Sequence, residues 1–374
     1  MTNYNVIILG PKGSGKTVYL GSLYYKLSTP GELGYYLSLP LAESKKLNRI
    51  FTILETDWPD PTAILNTDKW NFNVMVNGET GQQHKAASIV YYDYAGARLT
   101  DIQDDEAEEE TSGIINDAHI LLGLLDGGKF YREIYHEERD PRFWHEDVKQ
   151  LCDVMVKAKD KSVHFIISKW DLFEDSDESL QRVRELLEEF DPFKNLVNSR
   201  RRVGGITRLI PVSSVGMGFV KVQPDGTMAR QPRARPRPLY VETPFACVLP
   251  DMIQTEVKRA IEKAERQAAA LAQPVNANLG FWDFLRLSLG RAIEKVTHIP
   301  GFNDPVIRWL AAKTQSAAVT KIRKAEEITW QNQQEAAELK EKIKDENSAM
   351  IYVLNSMTNS VTRLEHAYPS SKIY

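Results

Sequence analysis

The chain has 374 residues, of which 42% are hydrophobic and 26% are charged, as in a globular protein of two or three domains. A net charge of −4 argues against a broadly basic nucleic-acid-binding protein, so partners must be inferred from local patches. Two cysteines are too few for a disulfide framework or a zinc site and fit a reducing compartment. Without a signal-peptide pattern or an apolar run of roughly 18 residues, we expect a cytoplasmic protein.

Short apolar runs alternate with helical patterns over much of the chain. Strands are predicted at residues 6–9, 72–76, 89–92, 120–125, 163–167 and 209–212. The run 72–76 alternates apolar and polar residues, which is typical of an exposed or edge strand. Helices are predicted at residues 16–27, 41–54 and 250–272. This order indicates an α/β fold with a mostly parallel central sheet flanked by helices, followed by an all-α C-terminal extension.

Two regions depart from this alternation. Residues 216–245 are rich in glycine, proline and arginine, which predicts an inserted loop or exposed hairpin. A linker after residue 273 divides the chain into a domain at 1–273 and a helical C-terminal region at 278–374. In the latter, apolar residues recur at helical spacing over 339–364, and we expect this stripe to pack on a neighbouring helix of the chain or of a partner.

The strongest motif follows the first strand and opens the first helix. Residues 10–17 read Gly-Pro-Lys-Gly-Ser-Gly-Lys-Thr and match the phosphate-loop pattern G-x-x-x-x-G-K-[ST]. Small residues allow backbone N–H groups to close around phosphate oxygens, here at Gly10, Gly13, Ser14 and Gly15. Lys16 is predicted to reach the β- and γ-phosphates, and the Thr17 hydroxyl is predicted to bind Mg²⁺.

A second motif, Asp93-Tyr94-Ala95-Gly96, follows the third of the predicted strands. It fits D-x-x-G, in which the aspartate holds Mg²⁺ through water and the glycine N–H meets the γ-phosphate. We therefore expect Asp93 and Gly96 to face the phosphates.

Two later motifs point to guanine. Ser168-Lys169-Trp170-Asp171 resembles N-K-x-D, with serine in place of asparagine. A carboxylate at Asp171 would accept hydrogen bonds from guanine N1–H and the 2-amino group, whereas adenine lacks both donors. The stem of Lys169 would cover a face of the base. Ser213-Ser214 resembles the S-A-K loop that contacts guanine O6, with Ser214 in place of alanine.

These four motifs occur in order, each after a strand, and over residues 4–272 the chain resembles the TRAFAC GTPases, the class of Ras, Arf and translation-factor G domains. It is most similar to the bacterial double-GTPase family, type two, which is associated with bacterial conflict and signalling systems. Three segments carry this closer resemblance: Trp-Pro-Asp-Pro-Thr at 58–62, Tyr-Tyr-Asp-Tyr-Ala-Gly at 91–96 and Pro-Leu-Tyr-Val-Glu-Thr-Pro at 238–244.

The resemblance implies a molecular switch that binds GTP or GDP with Mg²⁺ and hydrolyses GTP. Lys16, Thr62 and Gly96 would act in catalysis, and the metal would be held by Thr17, Thr62 and Asp93. Thr67 is the alternative switch threonine, and Thr62 is preferred because it lies in the Trp-Pro segment. Ala97 follows Gly96 where many Ras-like proteins have a glutamine that orients water, so slow hydrolysis is expected.

Other interpretations stay open. The protein is alternatively a GTP-binding scaffold that does not hydrolyse GTP, or a dynamin-like GTPase at a membrane. The acidic run 101–110 is a solvated face or a docking surface for the arginines of 230–237. The amphipathic segment 281–295 forms core or a protein interface, with membrane contact less favoured. We expect a protein partner or self-association through the switch regions and the helical region. Asp126 and Lys129 are interpreted as loop residues.

Overall fold

A seven-stranded sheet organises the described part of the chain, which a computed structural model defines as residues 3–59, 68–93, 113–158, 160–223, 228–268 and 338–373. The strands of this sheet are β1 (Asn3–Leu9), β2 (Tyr35–Ser38), β3 (Asp68–Asn77), β4 (Gln83–Asp93), β5 (Ile120–Leu125), β6 (Ser162–Ile167) and β7 (Thr207–Pro211). The helices considered below are α1 (Lys16–Leu27), α2 (Leu41–Ile53), α3 (Gly127–His136), α4 (Lys149–Lys157), α5 (Asp177–Glu189), α6 (Asp191–Arg202), α7 (Thr243–Ala268) and α8 (Glu346–Ala367).

The strand order in the sheet is β2-β3-β4-β1-β5-β6-β7. From β4 to β7 neighbouring strands are parallel, whereas β2, β3 and β4 pair antiparallel. The strands β5, β6 and β7 are buried along their whole length, as expected of strands covered by helices on both faces. The α/β fold with a mostly parallel central sheet flanked by helices is therefore confirmed.

The antiparallel side of the sheet differs from the prediction. The alternating run 72–76 was expected to form an exposed or edge strand, but β3 lies between β2 and β4. Its apolar side chains Phe72, Val74 and Val76 are fully buried, so the alternation reflects one covered face and not an edge position. The edge is occupied by β2, a strand of only four residues that the sequence pattern did not reveal.

The last helix of the sheet domain also begins earlier than expected. α7 was predicted to start at Pro250, yet it starts at Thr243 and carries Pro250 within it. Pro244 provides the reason, because proline fits the first turn of a helix, where its missing N–H leaves no bond unmade. Before α7, within the segment expected to form an inserted loop or exposed hairpin, β8 (Val220–Val222) pairs antiparallel with β9 (Met228–Arg230).

The apolar stripe of the C-terminal region packs within the chain. α8 contacts α7 and crosses β3 and β4. Its buried side chains include Met350, Leu354, Met357, Val361 and Leu364. A capping box at Asp345 and Ser348 defines where α8 begins. Helix α8 is thus part of the core that covers the sheet.

Several sequence expectations fall outside the described residues. These are the boundary near residue 273 and the amphipathic segment 281–295, both within 269–337. Among the described residues, no helix combines the length and the apolar character needed to cross a membrane.

Candidate functional site

The loop between β1 and α1, residues 10–17, is called the phosphate loop below. Gly13 and Gly15 adopt left-handed backbone conformations, with φ of 82° and 96°. A Cβ atom at either position would meet open space, so the backbone conformation, and not crowding, requires glycine. Gly10 differs, because a Cβ there would lie 2.7 Å from the Leu124 carbonyl oxygen. The loop thus curves tightly into the first turn of α1, where N–H groups have no partner within the helix.

Lys16 folds back over this loop. Its Nζ donates hydrogen bonds to the carbonyl oxygens of Gly10, at 2.5 Å, and Pro11, at 3.1 Å. Burial lowers the pKa of Lys16, while the nearby charge of Asp93 acts in the opposite direction. The ammonium group is therefore held inside the curve of the phosphate loop, where a bound anion would compensate the cost of its burial.

Two further polar groups lie at the same place. The Ser14 side chain is buried, and its Oγ has no hydrogen-bond partner within the described part of the chain. Such a buried hydroxyl costs on the order of 1–3 kcal/mol, unless a ligand oxygen completes it. Asp93 ends β4 beside β1, in register with Ile8, and its side chain is largely buried. Lys16 and Asp93 are thus brought together at the carboxyl ends of adjacent parallel strands.

A second polar group forms where β6 and β7 end. Asp171 lies in a short 3₁₀ helix, Trp170–Leu172, and its Oδ1 accepts a hydrogen bond of 2.5 Å from Ser213 Oγ. Ser213 Oγ accepts in turn from the backbone N–H groups of Val215 and Gly216. Burial raises the pKa of Asp171, and the hydrogen bond from Ser213 opposes that effect. The two motifs predicted to read guanine are therefore in direct contact.

The two departures from the expected motifs have structural roles. Ser168, which replaces asparagine, donates from Oγ to the Leu125 carbonyl at 3.0 Å and joins β6 to β5. Ser214, which replaces alanine, accepts a hydrogen bond from Ser22 Oγ of α1 through its carbonyl, at 2.9 Å. Because the phosphate loop leads into α1, this bond connects the two ends of the candidate site.

The interpretation of Asp126 and Lys129 as loop residues holds for Asp126, which lies between β5 and α3, but is wrong for Lys129. Asp126 caps α3 by accepting from the Gly128 N–H, and its Oδ2 lies 2.7 Å from Lys169 Nζ. Lys129 lies within α3 and pairs with Asp140 at 2.5 Å. Aspartate is a preferred residue just before the start of a helix. The sequence could therefore have predicted the capping role of Asp126, which follows an apolar strand.

The inserted hairpin reaches the segment that leads to residue 60. Phe51, Leu54, Val215 and Phe219 form a separate apolar cluster. Trp58 meets Phe219 edge to face, with ring centroids 6.1 Å apart. The hairpin therefore contacts the chain just before the segment that contains Thr62 and Thr67, the two candidates for the switch threonine.

Other predicted site residues fall outside the described part of the chain. Thr62 and Thr67 lie in 60–67, and Gly96, Ala97 and the acidic run 101–110 lie in 94–112. Their roles stay predictions.

Neither a family model nor a curated protein matches the sequence. Among solved structures, the chain is similar to Sup35 complexed with GDP, at 12% identity and a TM-score of 0.31, over 57% of this chain and 37% of that one. It is also similar to the GTPase-like domain of Ski7 from S. cerevisiae, bound to GDP and inorganic phosphate, at 14% identity and a TM-score of 0.35, over 66% of this chain and 49% of that one. The chain thus spans half or less of either protein. Similarity this low does not distinguish one activity from another, so function must be inferred from the site.

Proposed function

We propose that this protein is a GTP-binding molecular switch of the Ras-like P-loop class that hydrolyses GTP slowly. The observation that most supports this proposal is that two clusters of polar side chains lie along the carboxyl ends of the parallel strands of the sheet. The phosphate loop and Asp93 lie where β1 and β4 end, and the bonded pair Asp171 and Ser213 lies where β6 and β7 end. In open α/β sheets, ligands bind outside the carboxyl ends of the strands. A ligand bound there would meet the Lys16 ammonium on one side and the partly buried Asp171 carboxylate on the other.

At the phosphate end, Lys16 is the central group. Its ammonium would exchange the carbonyl oxygens of Gly10 and Pro11 for phosphate oxygens, which form stronger, charge-assisted hydrogen bonds. The hydroxyl of Ser14 and the N–H groups of residues 13–17 would supply further donors. Gly96 is proposed to add its N–H at the γ-phosphate. These donors would stabilise the charge that develops during attack by water.

A magnesium site fits the residues at the same place. The Thr17 hydroxyl and the Asp93 carboxylate provide the hard oxygen ligands that Mg²⁺ prefers, and Asp93 is buried beside Lys16. Thr62 is proposed as a third ligand. When bound, Mg²⁺ would neutralise charge on the phosphate oxygens.

At the base end, Asp171 is the group that selects guanine. Its carboxylate is largely buried, so a base without matching donors would leave it with unmet hydrogen-bonding capacity. Guanine offers N1–H and the 2-amino group, whereas adenine offers neither. The Lys169 stem would cover a face of the base, with its ammonium held by Asp126.

The test is nucleotide binding in Mg²⁺ by the wild type and by Asp171→Asn. We expect the wild type to bind GTP far better than ATP. The variant should lose about 100-fold in GTP affinity and gain affinity for xanthosine triphosphate, because an amide donor matches the C2 carbonyl of xanthine. Asp153→Asn, the same change at an exposed position of α4, is the matched control and should leave affinity unaltered. Comparable wild-type affinities for GTP and ATP would contradict the guanine assignment.

The second candidate function is a scaffold that binds GTP without hydrolysing it. Ala97 favours it, since an alanine cannot hydrogen-bond the attacking water. Phosphate release in a single turnover separates the two. A dynamin-like role is a third proposal, to be tested by co-sedimentation with liposomes. A bacterial signalling or conflict system, with a protein partner or self-association, is proposed from the family resemblance alone.

A further inference from the structure

Asp175 lies four residues beyond Asp171 and receives hydrogen bonds from three parts of the chain. Its Oδ1 accepts from Trp170 Nε1, at 3.1 Å, and from the Tyr368 hydroxyl. Its Oδ2 accepts from the Tyr240 hydroxyl, at 3.1 Å. Trp170 Nε1 also lies 3.2 Å from the Tyr368 hydroxyl. These four residues, Trp170, Asp175, Tyr240 and Tyr368, are called the Asp175 cluster below.

Two members of the cluster are adjacent in sequence to the proposed base-reading groups. Trp170 immediately precedes Asp171 and is fully buried. Tyr240 follows Leu239, which pairs with Ser213 through two backbone hydrogen bonds of 3.0 and 2.8 Å. One carboxylate therefore bonds both to Trp170, next to Asp171, and to Tyr240, which follows the residue that pairs with Ser213.

The third member comes from residues 368–373, called the tail segment below. The Tyr368 ring is 2% exposed and meets the rings of Trp170 and Tyr240 nearly at right angles, at 6.1 and 5.8 Å. Ser370 donates from its backbone N–H and from its hydroxyl to the carboxylate of Asp177, at 2.9 and 3.0 Å. The tail segment thus contacts the start of α5 through Ser370, and the 3₁₀ helix that carries Asp171 through Tyr368.

Asp175 itself lies at the surface, whereas Trp170 and Tyr368 are buried beneath it. Because Tyr368 is buried, water is poorly able to replace its hydroxyl. Its loss would leave the Trp170 indole with fewer partners and would let the 3₁₀ helix that carries Asp171 shift.

We propose that Tyr368 is a positioning residue for guanine recognition, so that the tail segment forms part of the nucleotide site although it does not touch the base. The inference rests on the proposed function. It predicts that altering Tyr368 weakens hydrogen bonds to the guanine edge and leaves binding of the phosphates unaltered.

The test compares Tyr368→Phe with Tyr352→Phe in the full chain. Both changes remove one tyrosine hydroxyl, but Tyr352 packs against Gly34, about 24 Å away along the axis of α8. GTP and inosine triphosphate are the probes, because hypoxanthine lacks the 2-amino group that Asp171 would bind. Tyr368→Phe should weaken GTP binding about fivefold, as expected for one hydrogen bond, and lower the preference for GTP over inosine triphosphate. Tyr352→Phe should change neither.

Asp175→Asn provides a second variant, expected to act in the same direction as Tyr368→Phe, and thermal unfolding of each variant reports stability. A Tyr368→Phe protein that binds both nucleotides like the wild type would overturn the proposal. Equal weakening of both nucleotides would do so as well, since a shifted Asp171 should also lose its contact with the 2-amino group, which inosine triphosphate lacks. A wild type without preference for GTP over ATP would instead show that the proposed function has failed, and the inference with it.

Discussion

The surroundings of the Lys16 side chain favour the binding of an anion. Its ammonium lies among carbonyl oxygens of its own loop, which carry only partial charges. Burial disfavours the charged form, and Asp93 restores part of that loss. Phosphate oxygens carry a larger negative charge than carbonyl groups, so a nucleotide would be a better partner than the loop itself.

Removal of this charge should therefore prevent productive nucleotide binding. We expect Lys16→Ala to lower GTP affinity about 100-fold or more, the equivalent of two charge-assisted hydrogen bonds. Lys12→Ala is the matched control, because Lys12 belongs to the same loop but is exposed, and it should bind GTP nearly as the wild type does. Equilibrium titration with a fluorescent GTP analogue measures both. Unchanged affinity in Lys16→Ala would mean that phosphates bind elsewhere.

Sequence patterns predicted those candidate site residues whose positions depend on local spacing. The phosphate loop follows a strand and opens a helix within eight residues, so Lys16 was identifiable. Asp171 and Ser213 were identified by their positions after strands, and their hydrogen bond is a new structural fact. Asp175 was missed because its tyrosine partners are 65 and 193 residues away along the chain, and no local pattern encodes contacts of that kind.

The secondary-structure elements were predictable where they are long and periodic. α1 and β5 were expected with the bounds that they have. The phosphate-loop motif before α1 and Pro30-Gly31 after it define the helix, and a continuous apolar run defines the strand. β2 was missed because four residues are too few to display a period. Because β2 was not predicted, β3 was expected to be an exposed or edge strand. The error in placing β3 therefore followed from the missed β2.

Four elements, β6, β7, α7 and α8, are joined by a buried ionic group. Arg208 of β7 donates to both carboxylate oxygens of Asp251 in α7, at 2.5 and 2.7 Å, and to Glu365 of α8 at 2.8 Å. His164 Nε2 of β6 lies 3.0 Å from Asp251. Burial alone would raise the pKa of Asp251, but the charge and hydrogen bonds of Arg208 outweigh it and hold the pKa well below its ordinary value of 3.8.

Asp251→Asn should destabilise the fold by about 3–5 kcal/mol, because Arg208 would keep its charge in the core without a full counter-charge. Since the pKa of Asp251 is lowered by folding, its contribution is complete above the ordinary pKa and is lost as the pH falls below about 4. Urea unfolding at several pH values should therefore show that the difference in unfolding free energy between wild type and variant becomes smaller in acid. Asp153→Asn, at an exposed ion pair, should cost less than about 1 kcal/mol. A difference in unfolding free energy that does not change with pH would argue that packing, and not charge, explains the loss of stability.

At the scale of the whole described structure, two segments that are far apart in the sequence pack near the candidate site. The hairpin β8–β9 contacts Trp58 through Phe219 and approaches Gly128 through Met228, whose methyl group would lie 3.0 Å from a Cβ there. The tail segment contacts the 3₁₀ helix that carries Asp171 through Tyr368, and the start of α5 through Ser370. The sequence predicted that the 339–364 stripe would pack on a helix but left its partner open, because periodicity reveals a buried face and not its neighbour.

The rate of hydrolysis is the property that separates a switch from a scaffold. Ala97 removes the usual group that orients water, and loss of one positioning group costs orders of magnitude in phosphoryl transfer. We expect the isolated protein to turn over at a rate on the order of 10⁻⁴ s⁻¹, or below, as for small GTPases without assistance. Arg98 and the arginines of 230–237 are the candidates, in sequence, for a group supplied by a second molecule.

Single-turnover hydrolysis of GTP, measured over a range of protein concentrations with and without cell extract, tests this expectation. Acceleration with protein concentration would indicate that a second copy supplies the missing group, and acceleration by extract alone would indicate another partner. Substitution of Arg98 by alanine should then reduce the accelerated rate while leaving GTP affinity intact, because an arginine that acts only on the transition state contributes little to ground-state binding. Fast hydrolysis that is independent of concentration and extract would contradict the expectation, since a group of the same chain would then orient the water in place of glutamine.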